Sequence, residues 1–119
     1  MRVTVFGGSG FIGRYVVEKL ADRGASVIVG TRSPESAKFL GLLGDVGQVV
    51  RVRAPIENDN AVRAALKGAD AVVNLVGILF ERGKRSFHAV HVEGARRVAE
   101  AAAEAGVRRL IHVSAIGAA

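Results

Sequence analysis

The residues whose types and spacing most clearly indicate a binding function form a glycine-rich run near the start of the chain. Gly7, Gly10 and Gly13 follow the pattern G-x-x-G-x-x-G between a strand-like segment and a segment of helical period. There the first glycine permits a tight turn, the second lets the backbone approach a pyrophosphate, and the third lets the helix pack close to the strand. Phosphate then binds the free N–H groups at the helix N-terminus. The run, with Phe11 and Ile12 inside it, predicts a dinucleotide site, and the alternative is a purely structural glycine turn.

A second polar group follows the next strand-like segment. In dinucleotide sites a carboxylate about 20 residues beyond the glycine turn binds the ribose 2′-hydroxyl of NAD. This chain has Thr31, Arg32 and Ser33 at that place, and no acid before Glu35. A planar guanidinium beside two hydroxyls matches a 2′-phosphate. The sequence therefore predicts NADP in preference to NAD, and the alternative is a solvated arginine before a helix.

The remaining chemically active residue types point to no further site. The chain has no cysteine, which excludes disulfides, thiol catalysis and cysteine-ligated metal centres. His88 and His91 are spaced i, i+3, but no carboxylate is evidently placed to complete a metal site with them. His112 is predicted to be a packed histidine in the last strand. We therefore predict no metal.

The elements that must position these residues alternate between short apolar runs and longer segments of helical period. Strands are predicted at 2–6, 27–29, 49–52, 71–76 and 110–113, the third toward an edge of the sheet. Helices are predicted from 12 to about 23, from 33 to about 43, from 60 to 66 and from 87 to 105. The alternation predicts an α/β fold, a doubly wound parallel (Rossmann) sheet of five strands in the order 3-2-1-4-5, within three αβα layers.

Two helices carry more specific expectations. In the first helix, Ile12, Tyr15, Val16 and Leu20 recur at helical spacing, so we expect them to pack on the sheet. In the last helix the apolar stripe leaves Glu93 and Arg97 on the opposite face, and we expect these two to form a solvent-exposed i, i+4 pair.

Length and charge set further limits. The 119 residues are enough for one domain, which we assign to the whole chain, 1–119. The chain has 17 basic and 11 acidic residues, a formal net charge of +6, which favours anionic partners. Only 5% of the residues are aromatic, and no nucleic-acid-binding motif is present, so nucleic acid is not favoured. We expect no secretory signal, and no apolar run reaches the roughly 18 residues that a membrane span needs.

Together, four segments resemble the extended or atypical short-chain dehydrogenase/reductase superfamily. They are the glycine run, the strand Ala-Asp-Ala-Val-Val-Asn-Leu-Val-Gly at 69–77, the helix segment Val-Glu-Gly-Ala at 92–95, and His-Val-Ser-Ala at 112–115. Within the superfamily, Asn-Leu-Val-Gly-Ile-Leu at 74–79 and His-Val-Glu-Gly at 91–94 are most similar to the nucleotide-binding accessory subunit of respiratory complex I and its bacterial relatives. The resemblance implies that Val76 and Gly77 line the dinucleotide cleft. It also implies that Asp70 caps the start of the fourth strand, and the alternative is a turn-forming Asp.

The same resemblance implies no oxidoreductase chemistry from these residues. Members of the family use Tyr-x-x-x-Lys beyond the fifth strand, together with a Ser or Thr. Here the only tyrosine is Tyr15, with Lys19 four positions later in the first helix, which we interpret as a chance match. Ala115 stands where the catalytic Ser or Thr falls, with Ser114 one position early, and His91 replaces a frequent Asn. We therefore assign no catalytic residue.

Three functions are consistent with this sequence. The first is an NADP(H)-binding domain of a complex-I-associated accessory subunit, in which the nucleotide is structural. The second is the cofactor half of an NAD(P)-dependent reductase or sugar-nucleotide epimerase or dehydratase. The third is a nucleotide-sensing regulator.

Because family members continue with further strands and a substrate lobe, we expect a fragment of a longer chain. Its fifth strand is then an edge, with Leu110, Ile111 and Val113 available for self-association. The expected partners are a dinucleotide and a respiratory complex or another protein subunit. The expected location is the cytoplasm, or the periphery of the inner face of an energy-transducing membrane.

Overall fold

Five strands and three helices make up the described part of the chain. The computed structural model describes residues 1–7, 11–35, 40, 43–75 and 94–112, and only the backbone of Phe11 and His112. In chain order the elements are β1 (Arg2–Phe6), α1 (Phe11–Asp22), β2 (Ser26–Thr31), β3 (Val49–Arg53), α2 (Asp59–Leu66), β4 (Ala71–Asn74), α3 (Gly94–Glu104) and β5 (Arg109–His112). None of the helices within these residues is long and apolar enough to cross a membrane.

The strands form one parallel sheet in the order β3-β2-β1-β4-β5, which confirms the predicted topology. β1 is the central strand, and Val5 is in register with Val29 of β2 on one side and Val73 of β4 on the other. Apolar residues run almost continuously along β1 and β4 because both faces of a parallel sheet are covered. The short, arginine-containing β3 lies at the edge, as predicted.

The two faces of the sheet bury separate apolar clusters. On one face, Val5 and Val29 pack with Val17 of α1. On the other face, Phe6 packs with Leu66 of α2 and Val98 of α3. All of these side chains are fully buried, and burying one of them contributes roughly 1.5–3 kcal/mol before the entropic cost of ordering it. The result is the predicted three-layer arrangement, with α1 on one side of the sheet and α2 and α3 on the other.

The face of α1 that meets the sheet differs from the predicted one. Tyr15 is 59% exposed and Ile12 is 43% exposed, so the expectation that both pack on the sheet was wrong. The buried row instead consists of Gly13, Val17 and Ala21, spaced four residues apart. Small residues in this row allow the helix to approach the sheet closely, and the larger apolar side chains are displaced to the flanks. Val16 and Leu20, the other two predicted members, are partly buried against the same cluster.

The connection between β2 and β3 also departs from the prediction of a helix over 33–43. Pro34 and Glu35 form a turn and Leu40 lies in a short 3₁₀ turn, while 36–39 and 41–42 lie outside the described residues. Hydrogen bonds of the Gln48 side chain organise the end of this connection. Its Oε1 accepts from the Asp45 N–H (2.8 Å), and its Nε2 donates to the carbonyl of Ala21 (2.8 Å). Because Ala21 lies in the last turn of α1, the Gln48 side chain ties the end of this connection to the end of that helix.

The helices α2 and α3 pack side by side and are joined by arginines. α2 matches the predicted helix, whereas α3 is described from Gly94 onward, so 87–93 lie outside the described residues. Arg97 was expected to face solvent, but it is largely covered and donates to the carbonyl of Ile56 (3.0 Å). Arg63 of α2 contacts both Asp59 and Glu104 of α3, and these carboxylates raise the pKa of its guanidinium above its usual range. The prediction for Arg97 was therefore wrong, since it lies at the junction of the two helices; Glu93 lies outside the described residues.

β5 is the edge strand of the described sheet and exposes Leu110 and Ile111. Exposed edge strands with apolar side chains pair with other chains, so self-association through β5 stays a prediction. Light scattering on the purified chain should show a mass that rises with concentration. Replacing Ile111 by Lys should abolish that rise, because a charge on an edge strand opposes pairing. A wild-type chain that stays monomeric at high concentration would contradict the prediction.

Candidate functional site

The glycine turn lies at the carboxyl end of the central strand. Gly7 follows β1 directly and has a φ of +85°. Its N–H donates to the carbonyl of Gly30 at 3.3 Å, which ties the start of the turn to β2. Gly8, Ser9 and Gly10 lie outside the described residues, so the predicted role of Gly10 stays a prediction. The next described residue, Phe11, is the first residue of α1.

The N-terminus of α1 has the properties that an anion site requires. Its first four N–H groups have no partner within the helix, and the helix dipole places partial positive charge there. No acidic residue occurs in the first turn of α1 to offset that charge. Gly13 is buried, consistent with its predicted role in close packing, whereas Ile12 is half exposed. These features fit the pyrophosphate of a dinucleotide.

The chain reverses its direction across the sheet at this same place. From β1 it proceeds outward to β2 and β3, and then returns to β4 and β5 on the other side. In open α/β sheets, ligands bind in the crevice outside the carboxyl ends of the strands at such a switch point. The Leu75 N–H donates to the carbonyl of Phe6 at 2.8 Å, so the chain leaving β4 is joined to the end of β1. Val76 and Gly77, predicted to line the cleft, come next in sequence but lie outside the described residues.

The three polar residues at the end of β2 do not present their side chains in the same way. Thr31 is only 8% exposed, and its Oγ1 accepts from the Ser33 N–H at 3.3 Å. The Thr31 hydroxyl thus stabilises the turn that follows β2. Arg32 extends from this turn with a side chain that is 57% exposed, and Ser33 is also exposed. Arg32 and Ser33 are therefore the accessible members, and Arg32 is the one that carries a positive charge.

The structure adds charged residues that the sequence interpretation missed. Arg53 of β3 is in register with Thr31, and the Ala54 N–H donates to the carbonyl of Thr31 at 2.9 Å. Arg51, two residues earlier on the same strand, donates through Nη1 to the carbonyl of Pro34 at 2.8 Å. The period-2 alternation of Arg51 and Arg53 was visible in the sequence, and parallel pairing to β2 would have placed both beside the predicted phosphate site.

Glu57 is the second missed residue, and it lies directly against Arg32. One guanidinium N–H of Arg32 donates to the Glu57 carboxylate, with Nη1 and Oε2 2.5 Å apart. Glu57 belongs to the connection between β3 and α2, 25 residues away in sequence. No local pattern signals this pair, because it depends on two connections that leave adjacent strands at the same edge. The expected absence of an acid near Arg32 therefore holds only for the sequence from β2 to Pro34.

Asp70 lies at the amino ends of the strands, whereas the glycine turn lies at their carboxyl ends. Its Oδ2 accepts from the Arg2 N–H at 2.8 Å, and its own N–H donates to the Arg2 carbonyl at 2.8 Å. This reciprocal pair fastens the start of β4 to the start of β1. The side chain thus has a structural position at the amino end of the strand, as the resemblance implied.

The residues considered for catalysis are not brought together in the described structure. Tyr15 and Lys19 lie on the exposed flank of α1, with the Lys19 Nζ 5.3 Å from the centre of the Tyr15 ring. His88, His91, Ser114 and Ala115 lie outside the described residues. Within the described ranges, no group of three or more His, Cys, Asp or Glu side chains could hold a metal ion.

Comparison with known proteins agrees with this geometry. A family described as NAD(P)H-binding matches residues 7–119. The chain is 39% identical over 115 residues to the mitochondrial NADH-ubiquinone oxidoreductase 40 kDa subunit of Neurospora crassa, covering 97% of this chain and 31% of that protein. It is also 39% identical to the mitochondrial NADH dehydrogenase [ubiquinone] 1 alpha subcomplex subunit 9 of Rattus norvegicus, covering 97% of this chain and 31% of that protein. The chain therefore spans less than a third of the length of these relatives.

A solved structure extends the comparison to an enzyme with its cofactor. The uronate dehydrogenase of Agrobacterium tumefaciens, in a mutant form complexed with NAD, superposes with a TM-score of 0.76 at 28% identity. The match covers 95% of this chain and 40% of the dehydrogenase. The chain belongs to the NAD(P)H-binding family, as an extended short-chain dehydrogenase/reductase domain similar to the accessory subunits of complex I.

Proposed function

We propose that this chain binds NADP(H) at the carboxyl edge of its sheet, the side at which the carboxyl ends of its strands lie. In this proposal the chain is the cofactor half of an accessory subunit of a respiratory complex. The pyrophosphate is placed on the N-terminus of α1 beside Gly7, and Arg32 binds the 2′-phosphate. The single observation that carries the cofactor preference is Arg32, a guanidinium 57% exposed directly after β2, with no acid between the start of β2 and Pro34; the carboxylate that it contacts, Glu57, comes from the connection after β3. Val76 and Gly77 complete the proposed cleft on the β4 side.

The electrostatics of the β2 and β3 ends support this preference. Arg53 is in register with Thr31, the residue before Arg32, and the Arg51 guanidinium donates to the Pro34 carbonyl two residues after Arg32, so β3 adds positive charge beside the turn that would bind the 2′-phosphate. A phosphate that accepts two N–H bonds from a guanidinium also gains orientation, which a hydroxyl does not. The arginines at the ends of β2 and β3 are thus suited to an adenosine that carries a 2′-phosphate.

A structural role for the nucleotide is consistent with the residues at hand. The single tyrosine of the chain, Tyr15, is 59% exposed on the flank of α1, and we interpret its Tyr-x-x-x-Lys match as chance. One of the relatives is named as a subunit of NADH-ubiquinone oxidoreductase, and another as a subunit of the NADH dehydrogenase [ubiquinone] 1 alpha subcomplex. We therefore propose a respiratory complex as the partner and the inner face of an energy-transducing membrane as the location.

The decisive experiment is calorimetric titration of the chain with NADPH and with NADH, before and after Arg32→Ala. We expect the substitution to weaken NADPH binding about tenfold, because one charged hydrogen-bonding group is worth roughly 1.5–3 kcal/mol and this one is partly screened by solvent. NADH binding should change little. The matched control is Arg23→Ala, since Arg23 is an exposed arginine between the end of α1 and the start of β2, and the proposed site lies at the other end of β2. Equal NADPH affinity in wild type and Arg32→Ala would refute the 2′-phosphate assignment.

A second candidate is the cofactor half of a reductase or sugar-nucleotide epimerase. It is favoured by the superposition on uronate dehydrogenase, of which this chain matches 40% of the length. A Tyr-x-x-x-Lys pair encoded beyond residue 119 in the parent gene would support this candidate. A parent sequence without that pair would support the structural role.

A further inference from the structure

Two connections meet at the carboxyl edge of the sheet and place opposite charges in contact. One follows β2 and carries Arg32, and the other follows β3 and carries Glu57. The strands are adjacent and parallel, with Thr31 in register with Arg53, so both connections leave the sheet side by side. Arg32 Nη1 lies 2.5 Å from Glu57 Oε2. The side chains are 57% and 47% exposed, so a ligand in solution can reach both.

A carboxylate at this place has a chemistry of its own toward a dinucleotide. Carboxylates near the end of the second strand accept a hydrogen bond from the ribose 2′-hydroxyl of NAD(H). β2 and its turn contain no such group before Glu35, but the fold brings one from the β3 side. The two members of the pair therefore suit different cofactors, since Glu57 can accept from a hydroxyl and Arg32 can donate to a phosphate.

We infer that Glu57 is a specificity-determining residue, which favours NAD(H) and opposes NADP(H) at the site where Arg32 binds the 2′-phosphate. This inference rests on the proposed function. Glu57 acts in two ways, and both raise the affinity for NAD(H) relative to that for NADP(H). It accepts from the 2′-hydroxyl of NAD(H), and it occupies a guanidinium N–H of Arg32 while its negative charge repels a phosphate dianion. The cofactor preference of the site is then a balance between these two residues.

The size of the effect follows from the exposure of the pair. Both partners are about half exposed, so solvent screens their attraction, and such pairs are displaced at a small cost. A phosphate dianion can therefore take over Arg32 without unfolding the loop. We expect Glu57 to change the ratio of the two affinities by about threefold to fivefold, in the upper part of the range measured for exposed ion pairs, because its two effects add.

The test is Glu57→Gln, which keeps the size of the side chain and removes its charge. The dissociation constants for NADPH and NADH are measured by calorimetry at low salt. The ratio of the NADH constant to the NADPH constant should rise about threefold to fivefold. Glu18→Gln is the matched control, because Glu18 is an exposed glutamate of α1 and its replacement changes the net charge by the same amount. The control should leave the ratio unchanged.

A double substitution separates the two actions of Glu57. In the Arg32→Ala background, Glu57→Gln should still weaken NADH binding, but it should improve NADPH binding less than in the wild-type background. An unchanged ratio in Glu57→Gln, with NADPH binding still weakened by Arg32→Ala, would overturn the role of Glu57 and leave the proposed function intact. Absence of binding of either dinucleotide to the wild-type chain would overturn both.

Discussion

Replacing Gly7 by Ala should reduce dinucleotide affinity by roughly 100-fold, because at least two charged hydrogen bonds, each worth about 1.5–3 kcal/mol, depend on this turn. Gly7 has a φ of +85° directly before the segment that leads into α1. A Cβ at that φ is strained by about 1–2 kcal/mol, and the chain relieves the strain by shifting the turn. The N–H groups at the start of α1 would then no longer converge on the pyrophosphate.

Loss of stability alone could mimic this result, so the experiment needs a variant with equal backbone strain elsewhere. Gly24 provides it, since its φ is also +85° and it follows the other end of α1. A Cβ at Gly24 would meet no atom within 4 Å, so its cost is conformational and not steric. Both variants should lose about 1–2 kcal/mol of unfolding free energy in urea denaturation.

Only Gly7→Ala should lose affinity for NADPH and NADH, and it should lose both to the same extent. The pyrophosphate is common to the two cofactors, which distinguishes this effect from that of Arg32→Ala. Calorimetry on folded protein, at a temperature well below the unfolding transition of each variant, measures the affinities. Equal affinity in Gly7→Ala and Gly24→Ala would contradict a diphosphate cradle at the start of α1.

The topology was predictable because it depends on patterns that repeat along the chain. Apolar runs such as 71–73 are too short for helices and are followed by segments of helical period, which specifies parallel strands joined by crossovers. The switch point then follows, because the glycine run comes after the first strand and the strand order reverses there. The same argument placed Gly7 and Arg32 at one edge of the sheet without any knowledge of contacts.

What the sequence could not show depends on contacts between distant segments. The contact face of α1 was misassigned because large apolar residues such as Tyr15 outweighed small ones in the periodicity, whereas close packing selected Gly13 and Ala21. The Arg32–Glu57 pair brings together residues 25 positions apart, on connections whose paths no periodicity describes. Both corrections concern which side chains touch, which a one-dimensional pattern does not contain.

Gly30 is a further residue that only the structure identifies as important. It lies in β2, where a glycine weakens a strand unless another group needs the space. That group is the ring of Phe6, because a Cβ on Gly30 would lie 2.8 Å from two of its carbons and 3.2 Å from the Cβ of Ala54. Phe6 is fully buried, so its ring has no open space into which it could move.

Gly30→Ala should therefore lower the unfolding free energy by about 1–3 kcal/mol, the cost of overpacking a closed core. In calorimetric melting the Tm should fall by roughly 4–12 °C, at about 4 °C per kcal/mol for a domain of this size. Removing the ring relieves the clash, so Gly30→Ala should cost much less in a Phe6→Leu background than in wild type. A smaller loss of unfolding free energy in the Phe6→Leu background than in wild type would identify the contact between residue 30 and the Phe6 ring as the cause. Strictly additive losses would show instead that Gly30 is needed for the backbone of β2 and not for the ring beside it.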